Sequence, residues 1–423
     1  MKINILIVSA YNLFEDQVAD TYTMSSFMGL IPKENIFQIV CKDDSITKAG
    51  RLNDHTFILN HNDILFGKYY KRSSNKEGTI VRVANENKVS FSAKLKSSIY
   101  VNAKALYSIL PYRTNNELYN FIKESNVDLI YTCSASPREY ILISTLSKKL
   151  NIPVLPHFFD DWQNVLFDDS FLMKPFRKKI NKLIQNIITN NKVCLTICDL
   201  MSVGFSKRYG TNNFSSFLHS VPKPNFEYRI QSYRQPINIV YGGSLYLDRD
   251  IMIAKLATTI QELELEENIT ISIYSPQTHW NAMRDSLEIF PFVLYKGSVS
   301  QEEMLHIIHN DADILLFPEC ISDKFLKYIR YSMSTKIPEY LSSGHPIIAI
   351  GNEEQGSIQY LKKNDAAYMI TKEEDFKPIM QEIIRGDRKT EILDNAYSLF
   401  LKNHIREEQE KKFIDVINIV SNR

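Results

Sequence analysis

The sequence predicts an α/β protein built from two doubly wound domains. Apolar runs of strand length alternate with amphipathic helical stretches, the pattern of a parallel sheet covered by helices. The alternation stops between Ser220 and Pro236, a stretch that carries three prolines, and then restarts. A chain of 423 residues also exceeds the size at which one hydrophobic core stops growing. We therefore expect two domains, at residues 1–218 and 237–390, joined by a linker at 219–236.

Short apolar runs predict the strands, and stretches with amphipathic periodicity predict the helices. The predicted strands are Ile3–Val8, Ile36–Cys41, Asp128–Cys133, Pro153–His157, Val193–Ile197, Ile237–Tyr241, Ile269–Tyr274, Phe292–Tyr295, Ile314–Phe317 and Pro346–Ile350. The predicted helices are Glu139–Leu150, Lys174–Ile188, Leu200–Tyr209, Ile251–Leu265, Gln301–His309 and a last helix at Arg406–Val420. Residues 46–105 are polar and give no clear pattern.

Charge and cysteine content limit the classes of partner and compartment. The 50 lysines and arginines nearly balance 49 acidic residues, so we expect no nucleic-acid partner. Five scattered cysteines favour free thiols in a reducing compartment. The apolar part of Met1–Ser9 is as short as a strand, and no run approaches the roughly 18 apolar residues of a membrane span. We expect a cytoplasmic protein.

The segment from Ser334 to Gly351, STKIPEYLSSGHPIIAIG, predicts a short helix, a tight turn and a strand. A proline is tolerated in the first turn of a helix, so Thr335 is expected to be the N-cap. Gly344 occupies the left-handed position after the helix. A helix start with free N–H groups beside the Lys336 amine suits a phosphate or diphosphate. Glu339 is expected to face the same ligand and to accept hydrogen bonds from sugar hydroxyls.

A glycine-rich loop, Gly242-Gly-Ser-Leu-Tyr-Leu-Asp-Arg249, directly follows the predicted strand Ile237–Tyr241. Two glycines allow a backbone to approach a ligand closely, and Ser244 and Arg249 offer donors to phosphate oxygens. Because strand ends of parallel sheets converge on one crevice, this loop and the Thr335 helix start can face the same ligand. A plain turn after a strand is the alternative interpretation of the loop by itself.

Together with two further motifs, these segments resemble a known family. The order of the glycine loop, Lys296-Gly-Ser-Val-Ser300, Ala312–Pro318 and Ser334–Ile348 resembles the donor half of retaining nucleotide-sugar glycosyltransferases of family four, which have the GT-B fold. In the first half, His157-Phe-Phe-Asp-Asp-Trp162 and Leu195–Met201 are similar to acceptor-domain segments of one bacterial branch.

The resemblance implies two Rossmann-like domains facing across a cleft, with a C-terminal segment, 391–423, returning to the first. It implies transfer of a sugar from a nucleotide diphosphate sugar to a hydroxyl of a glycan or lipid-linked acceptor, in polysaccharide biosynthesis, with retention of anomeric configuration. No cofactor is expected, and no metal site, since His306 and His309 lack a third ligand.

The resemblance also assigns roles residue by residue. The diphosphate contacts carry over to Gly243, Ser244, Arg249 and Lys336, the ribose contact to Glu339, and a place near the transferred sugar to His157. The predicted catalytic residues are thus His157, Arg249 and Lys336. The predicted donor-binding residues are Gly242, Gly243, Ser244, Arg249, Ser334, Thr335, Lys336 and Glu339. The predicted acceptor-side residues are His157, Asp160, Asp161 and Trp162, and a capped turn after a buried strand is the alternative for that segment.

Some positions depart from the family pattern, and because of them we consider two alternative functions. Many members carry two glutamates eight positions apart, and Tyr331 stands at the earlier position here. Ser9–Asp16, after the first strand, contains no glycine, and Ser244 replaces a frequent arginine. One alternative function is that of a non-hydrolysing sugar-nucleotide epimerase of related fold. Another is that of a catalytically silent partner subunit.

The segment Phe171–Ile188 is a basic amphipathic helix with two interpretations. Its apolar residues fall on one face and its lysines lie elsewhere around the helix. The helix either packs on its own sheet with solvated lysines, which we favour, or rests peripherally on the inner face of an anionic membrane.

Overall fold

The computed structural model describes residues 3–16, 18–42, 47–66, 91–224 and 233–421. By its contacts the chain divides into two compact units: Met1–Ser216 with Lys412–Arg423 form unit 1, and Phe217–Lys411 form unit 2. Part of the predicted linker lies outside the described residues. Each unit has its own sheet flanked by helices. The predicted fold class, an α/β protein with two doubly wound domains, is confirmed.

Unit 1 is built on an eight-stranded sheet with the order β3-β4-β2-β1-β5-β6-β7-β8. Neighbouring strands are parallel except for the pair β3 and β4. The strands are β1 (Ile5–Ser9), β2 (Ile36–Cys41), β3 (Gly50–Arg51), β4 (Thr56–Leu59), β5 (Leu129–Thr132), β6 (Val154–Phe158), β7 (Cys194–Thr196) and β8 (Phe214–Ser216). The helices are α1 (Ala19–Met28), α2 (Phe91–Ser108), α3 (Asn116–Glu124), α4 (Pro137–Leu150), α5 (Trp162–Val165), α6 (Lys174–Asn190) and α7 (Asp199–Tyr209).

Unit 2 is built on a six-stranded parallel sheet with the order β11-β10-β9-β12-β13-β14. The strands are β9 (Ile237–Gly242), β10 (Ile269–Tyr274), β11 (Val293–Gly297), β12 (Ile314–Pro318), β13 (Ile347–Ile350) and β14 (Tyr368–Ile370). The helices are α8 (Arg249–Glu262), α9 (Gln277–Met283), α10 (Gln301–Asn310), α11 (Leu326–Ile329), α12 (Lys336–Ser342), α13 (Gly356–Lys363), α14 (Phe376–Arg385), α15 (Lys389–Asn403) and α16 (Arg406–Val420).

The strand order of unit 2 reverses direction between β9 and β12. From β9 the chain builds outward to β10 and β11, and it then crosses to β12 on the other side of β9. In open α/β sheets, ligands bind in the crevice at the carboxyl ends of the strands where this reversal occurs. The residues that follow β9 and β12 are therefore at the position where this kind of sheet binds ligands.

The C-terminal helix passes from unit 2 to unit 1. The Phe413 ring of α16 lies 4.7 Å from the Phe27 ring and 5.7 Å from the Tyr131 ring, both in unit 1. The predicted returning segment began earlier, at residue 391. In the structure Ile392 belongs to the buried core of unit 2, and the His404 Nδ1 atom is 2.7 Å from the backbone oxygen of His219. Apolar burial therefore keeps α15 in unit 2, and the part assigned to unit 1 begins at Lys412.

The amphipathic helix α6 packs against α4 and α7. This packing buries much of the apolar face of α6, including Ile180, Ile184, Ile187 and Ile188. The interpretation of a helix packed within its own domain therefore fits this face. Among the described helices, none combines the length and the apolarity that crossing a membrane would require.

Candidate functional site

The glycine loop after β9 lies directly against the Lys336 side chain. Gly243 has a φ of +151°, which L side chains rarely adopt, and its N–H donates to the carbonyl of Tyr274 at 2.9 Å. A Cβ atom at this position would lie 2.9 Å from the Lys336 Nζ atom and 3.1 Å from the Tyr241 hydroxyl. The position therefore requires glycine. The fold brings Gly243 and Lys336, which are far apart in the sequence, next to each other.

The neighbouring loop residues are held by short-range contacts. A Cβ at Gly242 would lie 2.7 Å from the Met304 Sδ atom, so this glycine allows α10 to pack closely on the loop. The Ser244 hydroxyl accepts from the N–H of Tyr246 at 3.3 Å, and the Ser244 carbonyl accepts from the Tyr241 hydroxyl at 2.5 Å. These bonds fix the curvature of the loop at the switch point.

Helix α12 begins at Lys336 with Thr335 as its N-cap, as predicted. The expectation that its first N–H groups are free is wrong. The N–H of Lys336 donates to the Ser334 hydroxyl and the N–H of Ile337 donates to the Ser334 carbonyl, both at 3.3 Å. The helix also has only seven residues, and the Thr335 side chain makes no capping bond. The Lys336 amine, rather than the helix start, brings positive charge to the loop.

Arg249 opens helix α8 and forms an ion pair across the switch point. Its Nη2 atom is 2.7 Å from the Oε1 atom of Glu319, which directly follows β12. Their side chains are 19% and 5% exposed, so the pair is largely shielded from water. Burial alone would lower the pKa of Arg249, but the Glu319 and Tyr241 side chains outweigh it and raise that pKa above its usual value.

Lys336 and Glu339 extend this charged cluster and have strongly shifted pKa values. Burial, and then the nearby Arg249 charge, lower the pKa of Lys336 to about 8, although Glu319 and Glu339 act in the opposite direction. Burial raises the pKa of Glu339 to about 7, against a hydrogen bond from Gln301 and the charge of Lys336. Shifts of this size arise where charged groups share a poorly solvated site, and they cluster at functional sites.

The structure therefore brings together most of the predicted donor-side residues. Gly243 and Arg249 both lie close to Lys336 at the switch point of unit 2, and Glu339 interacts electrostatically with Lys336. Ser334 supports the helix start through its backbone and hydroxyl, as described above. Glu319 was missed by the sequence analysis, which stopped at the last residue of the strand. The available signal was a carboxylate directly after a buried strand.

The predicted acceptor-side residues lie in unit 1, and two of them are inner residues of that unit. His157 is fully buried in β6, with its Nδ1 atom 2.9 Å from the Tyr131 hydroxyl. The Trp162 ring packs 5.6 Å from the Tyr140 ring and is 8% exposed. Both side chains thus contribute to the core below the end of β6.

Asp160 and Asp161, which the sequence left equivalent, differ in the structure. Asp161 is buried and accepts two hydrogen bonds of 2.5 Å from the Arg208 guanidinium. This bidentate geometry fixes the turn after β6. Asp160 is only partly buried and faces Asp20 closely enough that burial, together with the Asp160 charge, raises the pKa of Asp20 to about 6. Asp160 is therefore the one of the two that shares its surroundings with a second carboxylate.

Within the described ranges, no group of three or more His, Cys, Asp or Glu side chains is placed to hold a metal ion.

Known structures resemble this chain over its whole length. The E. coli trehalose-6-phosphate protein bound with UDP-2-fluoro glucose superposes with a TM-score of 0.61 and 11% identity, covering 99% of this chain and 100% of that one. The sucrose-phosphate synthase of Thermosynechococcus elongatus gives 0.61 and 10%, covering 98% of both chains. A glycosyltransferase from Rickettsia africae gives 0.60 and 12%, covering 100% of both.

Comparisons at the level of sequence give no match: no family model fits the chain, and no curated protein is significantly similar to it. The similarity to solved structures is thus one of fold. The neighbours are glycosyltransferases of the GT-B type with two Rossmann-like domains. This chain has the GT-B fold.

Proposed function

We propose that this chain is a glycosyltransferase that moves a sugar from a nucleotide diphosphate sugar to an acceptor hydroxyl, with retention of anomeric configuration. The observation that carries the proposal is the convergence of Arg249, Lys336 and Gly243 at the switch point of unit 2. Two cations at a glycine loop match the charge of a diphosphate. The GT-B fold, which the solved glycosyltransferases share, supports the same class of reaction.

The chemistry follows from the charges. The bond between the sugar C1 atom and the diphosphate oxygen breaks, and its electron pair leaves with the diphosphate. Arg249 and Lys336 stabilise the negative charge that grows on this leaving group. The acceptor oxygen forms the new bond to C1, and its proton passes to the leaving phosphate. In this scheme the cations of unit 2 lower the barrier, and no protein nucleophile is required.

Glu339 is the candidate for the ribose hydroxyls of the donor. A carboxylate is an acceptor-only group when ionised, which suits hydroxyl donors and not phosphate oxygens. With a pKa near 7, Glu339 carries a substantial share of the ionised form at neutral pH. The E. coli neighbour is bound with UDP-2-fluoro glucose, so uridine diphosphate sugars are the first donors to test.

The acceptor is proposed to bind in unit 1 at the end of β6. Asp160, beside Asp20, is the acceptor-side candidate because Asp161 is engaged by Arg208. For a lipid-linked acceptor, the proposed membrane contact is the short loop before α6 and not the helix face. Phe171 and Leu172 in that loop are 81% and 65% exposed.

The loop before α6 is held in place by a neighbouring helix. The Asn102 side-chain oxygen of α2 accepts from the Ser170 hydroxyl at 2.7 Å and from the N–H of Leu172 at 3.0 Å. Exposed lysines at 174, 178 and 179 follow the loop, which suits an anionic surface beside an inserted apolar tip.

Two other functions are compatible with the same fold, and they differ in whether the chain consumes the donor and needs an acceptor. A sugar-nucleotide epimerase would convert the donor without any acceptor. A catalytically silent partner subunit, an alternative motivated by Tyr331, would not consume donor at all. Donor consumption by the purified chain, measured with and without acceptor, separates the three.

A ligand panel followed by thermal unfolding tests the proposal. Nucleoside diphosphates and their sugars with uridine, guanosine, adenosine and thymidine bases are added to the full chain. A ligand that binds only the folded state at 100 times its Kd adds about 2.7 kcal/mol of stability. We expect one base to raise the melting temperature, both as the diphosphate and as the sugar nucleotide. If no member of the panel raises it, the proposed function is refuted.

A further inference from the structure

Glu319 occupies the centre of the switch point in unit 2. It directly follows β12, the strand at which the sheet order reverses, and its N–H donates to the Ile350 carbonyl at 2.8 Å. The side chain is only 5% exposed, and its Oε1 atom receives the Arg249 guanidinium at 2.7 Å. The sheet thereby fixes the backbone of Glu319, and an arginine at the glycine loop fixes its carboxylate.

The second oxygen of this carboxylate is buried without a donor. No hydrogen bond reaches Glu319 Oε2 from any residue in the part of the chain that the structure describes. A buried carboxylate oxygen that lacks a partner is costly, so such atoms in folded proteins call for a specific explanation. The group that completes this oxygen must be a hydrogen-bond donor, because an ionised carboxylate only accepts.

We propose that Glu319 Oε2 accepts a hydrogen bond from a hydroxyl of the donor's sugar, while Oε1 holds Arg249 toward the diphosphate. This inference rests on the proposed function. A phosphate oxygen cannot fill the position, because it is itself an anionic acceptor. In the proposed function the sugar is attached to the diphosphate that Arg249 binds, and the Glu319 carboxylate is one hydrogen bond away from that guanidinium. Glu319 is thus a residue that distinguishes a sugar nucleotide from the bare nucleoside diphosphate.

The competing explanation is that Glu319 only positions Arg249. The two roles differ in which ligands they affect. Loss of a sugar-hydroxyl acceptor weakens the sugar nucleotide alone, whereas misplacement of Arg249 weakens the nucleoside diphosphate and the sugar nucleotide equally. Removal of the carboxylate charge near the diphosphate acts in the opposite direction on both ligands, because like charges repel.

Calorimetric titration of the full chain with UDP, UDP-glucose, UDP-N-acetylglucosamine, GDP and GDP-mannose tests the inference, using the wild type and Glu319→Gln. We expect the variant to bind the preferred sugar nucleotide about 10- to 100-fold more weakly, the range for one charge-assisted hydrogen bond, with affinity for the matching diphosphate unchanged or increased. Glu353→Gln is the matched control, because Glu353 is an exposed carboxylate of unit 2 that is 2.6 Å from the Lys362 amine.

Equal weakening of both ligands, or no weakening of the sugar nucleotide, would overturn the role of Glu319 while leaving the proposed function standing. A wild type that binds no sugar nucleotide would instead refute the proposed function. If Glu319→Gln fails to fold, the wild type is titrated with the 2-, 3-, 4- and 6-deoxy forms of the preferred sugar nucleotide. We expect one deoxy form to lose the same 10- to 100-fold factor; full affinity for all of them would contradict the inference.

Discussion

Replacement of Lys336 by methionine is expected to stabilise the unliganded protein and to slow its reaction. The structure places the Lys336 amine against Gly243, where burial and the Arg249 charge lower the pKa of the amine from 10.5 to about 8. One unit of pKa shift corresponds to 1.36 kcal/mol, so the charged amine costs the folded state up to about 3 kcal/mol. Methionine keeps most of the aliphatic chain and removes the charge.

The pH dependence of the free energy of unfolding follows from the same pKa shift. The pKa of Lys336 in the folded state lies below its unfolded value of 10.5, so the unfolded state binds more protons between pH 8 and 10.5. The cost of the charge is therefore fully present below pH 8 and disappears as the pH rises toward 10.5. The stability advantage of Lys336→Met should be largest at pH 7 and should vanish near pH 10.5.

Catalysis should change in the opposite direction. In the proposed reaction the diphosphate gains negative charge as the bond to the sugar breaks, and we expect Lys336 to interact with that charge more strongly in the transition state than in the ground state. Loss of one charge-assisted hydrogen bond, roughly 1.5–3 kcal/mol, lowers kcat by about 10- to 100-fold. KM should rise less than kcat falls.

Urea unfolding at pH 7 and pH 10.5, together with steady-state kinetics on the preferred donor, measures both effects. Lys362→Met is the matched control, because Lys362 is 49% exposed and pairs with Glu353 on the surface of the same unit. The control should change stability by less than about 0.5 kcal/mol and leave the kinetics unchanged. A Lys336→Met protein that is less stable than the wild type at pH 7, or that retains full kcat, would refute the reasoning.

Three further outcomes are expected. Glu339→Ala should raise KM about 10-fold with kcat less affected in steady-state kinetics, because ribose hydroxyls gain no charge in the transition state; a fall in kcat alone would count against the ribose assignment. Substitution of Phe171 and Leu172 by serine should reduce sedimentation with anionic vesicles at least threefold without changing the melting temperature, and equal sedimentation would exclude this membrane contact. Burial lowers the pKa of His219 to about 3 and that of His404 to about 4. The unfolded state therefore binds more protons below pH 6.5, and the free energy of unfolding should fall from pH 6.5 toward pH 4. Urea unfolding of His404→Gln should show a shallower fall over this range.

Continuous apolar runs made the strands of the fold predictable. The predicted strands Ile36–Cys41 and Ile269–Tyr274 match β2 and β10 residue for residue, because β2 is buried along its whole length and β10 along most of it. Strand β4 and most of helix α2 lie in the polar region, residues 46–105, that gave no clear pattern. Strand β4 has only four residues, too few to show a period, and its place in the sheet depends on pairing with β2.

The arrangement of the candidate site was predictable where a local motif marks its residues, and it was not predictable where residues distant in the sequence meet. The glycine loop and Lys336 each had a local signature, and the parallel sheet explained why they converge. The pairs Arg249–Glu319 and Arg208–Asp161 join residues 70 and 47 positions apart, so no local pattern reveals them. The helix start was misjudged for a related reason, since Ser334 satisfies the two N–H groups that were expected to be free.

The most direct test of the central claim is release of nucleoside diphosphate from a nucleotide sugar by the purified full chain. Release is followed with and without a hydroxyl acceptor, for the wild type, Arg249→Met, Lys336→Met and the Lys362→Met control. The account predicts release that an acceptor accelerates, a loss of at least about 10-fold in each site variant, and wild-type rates in the control. Release that is the same in all four proteins, or no release from any nucleotide sugar, would contradict it.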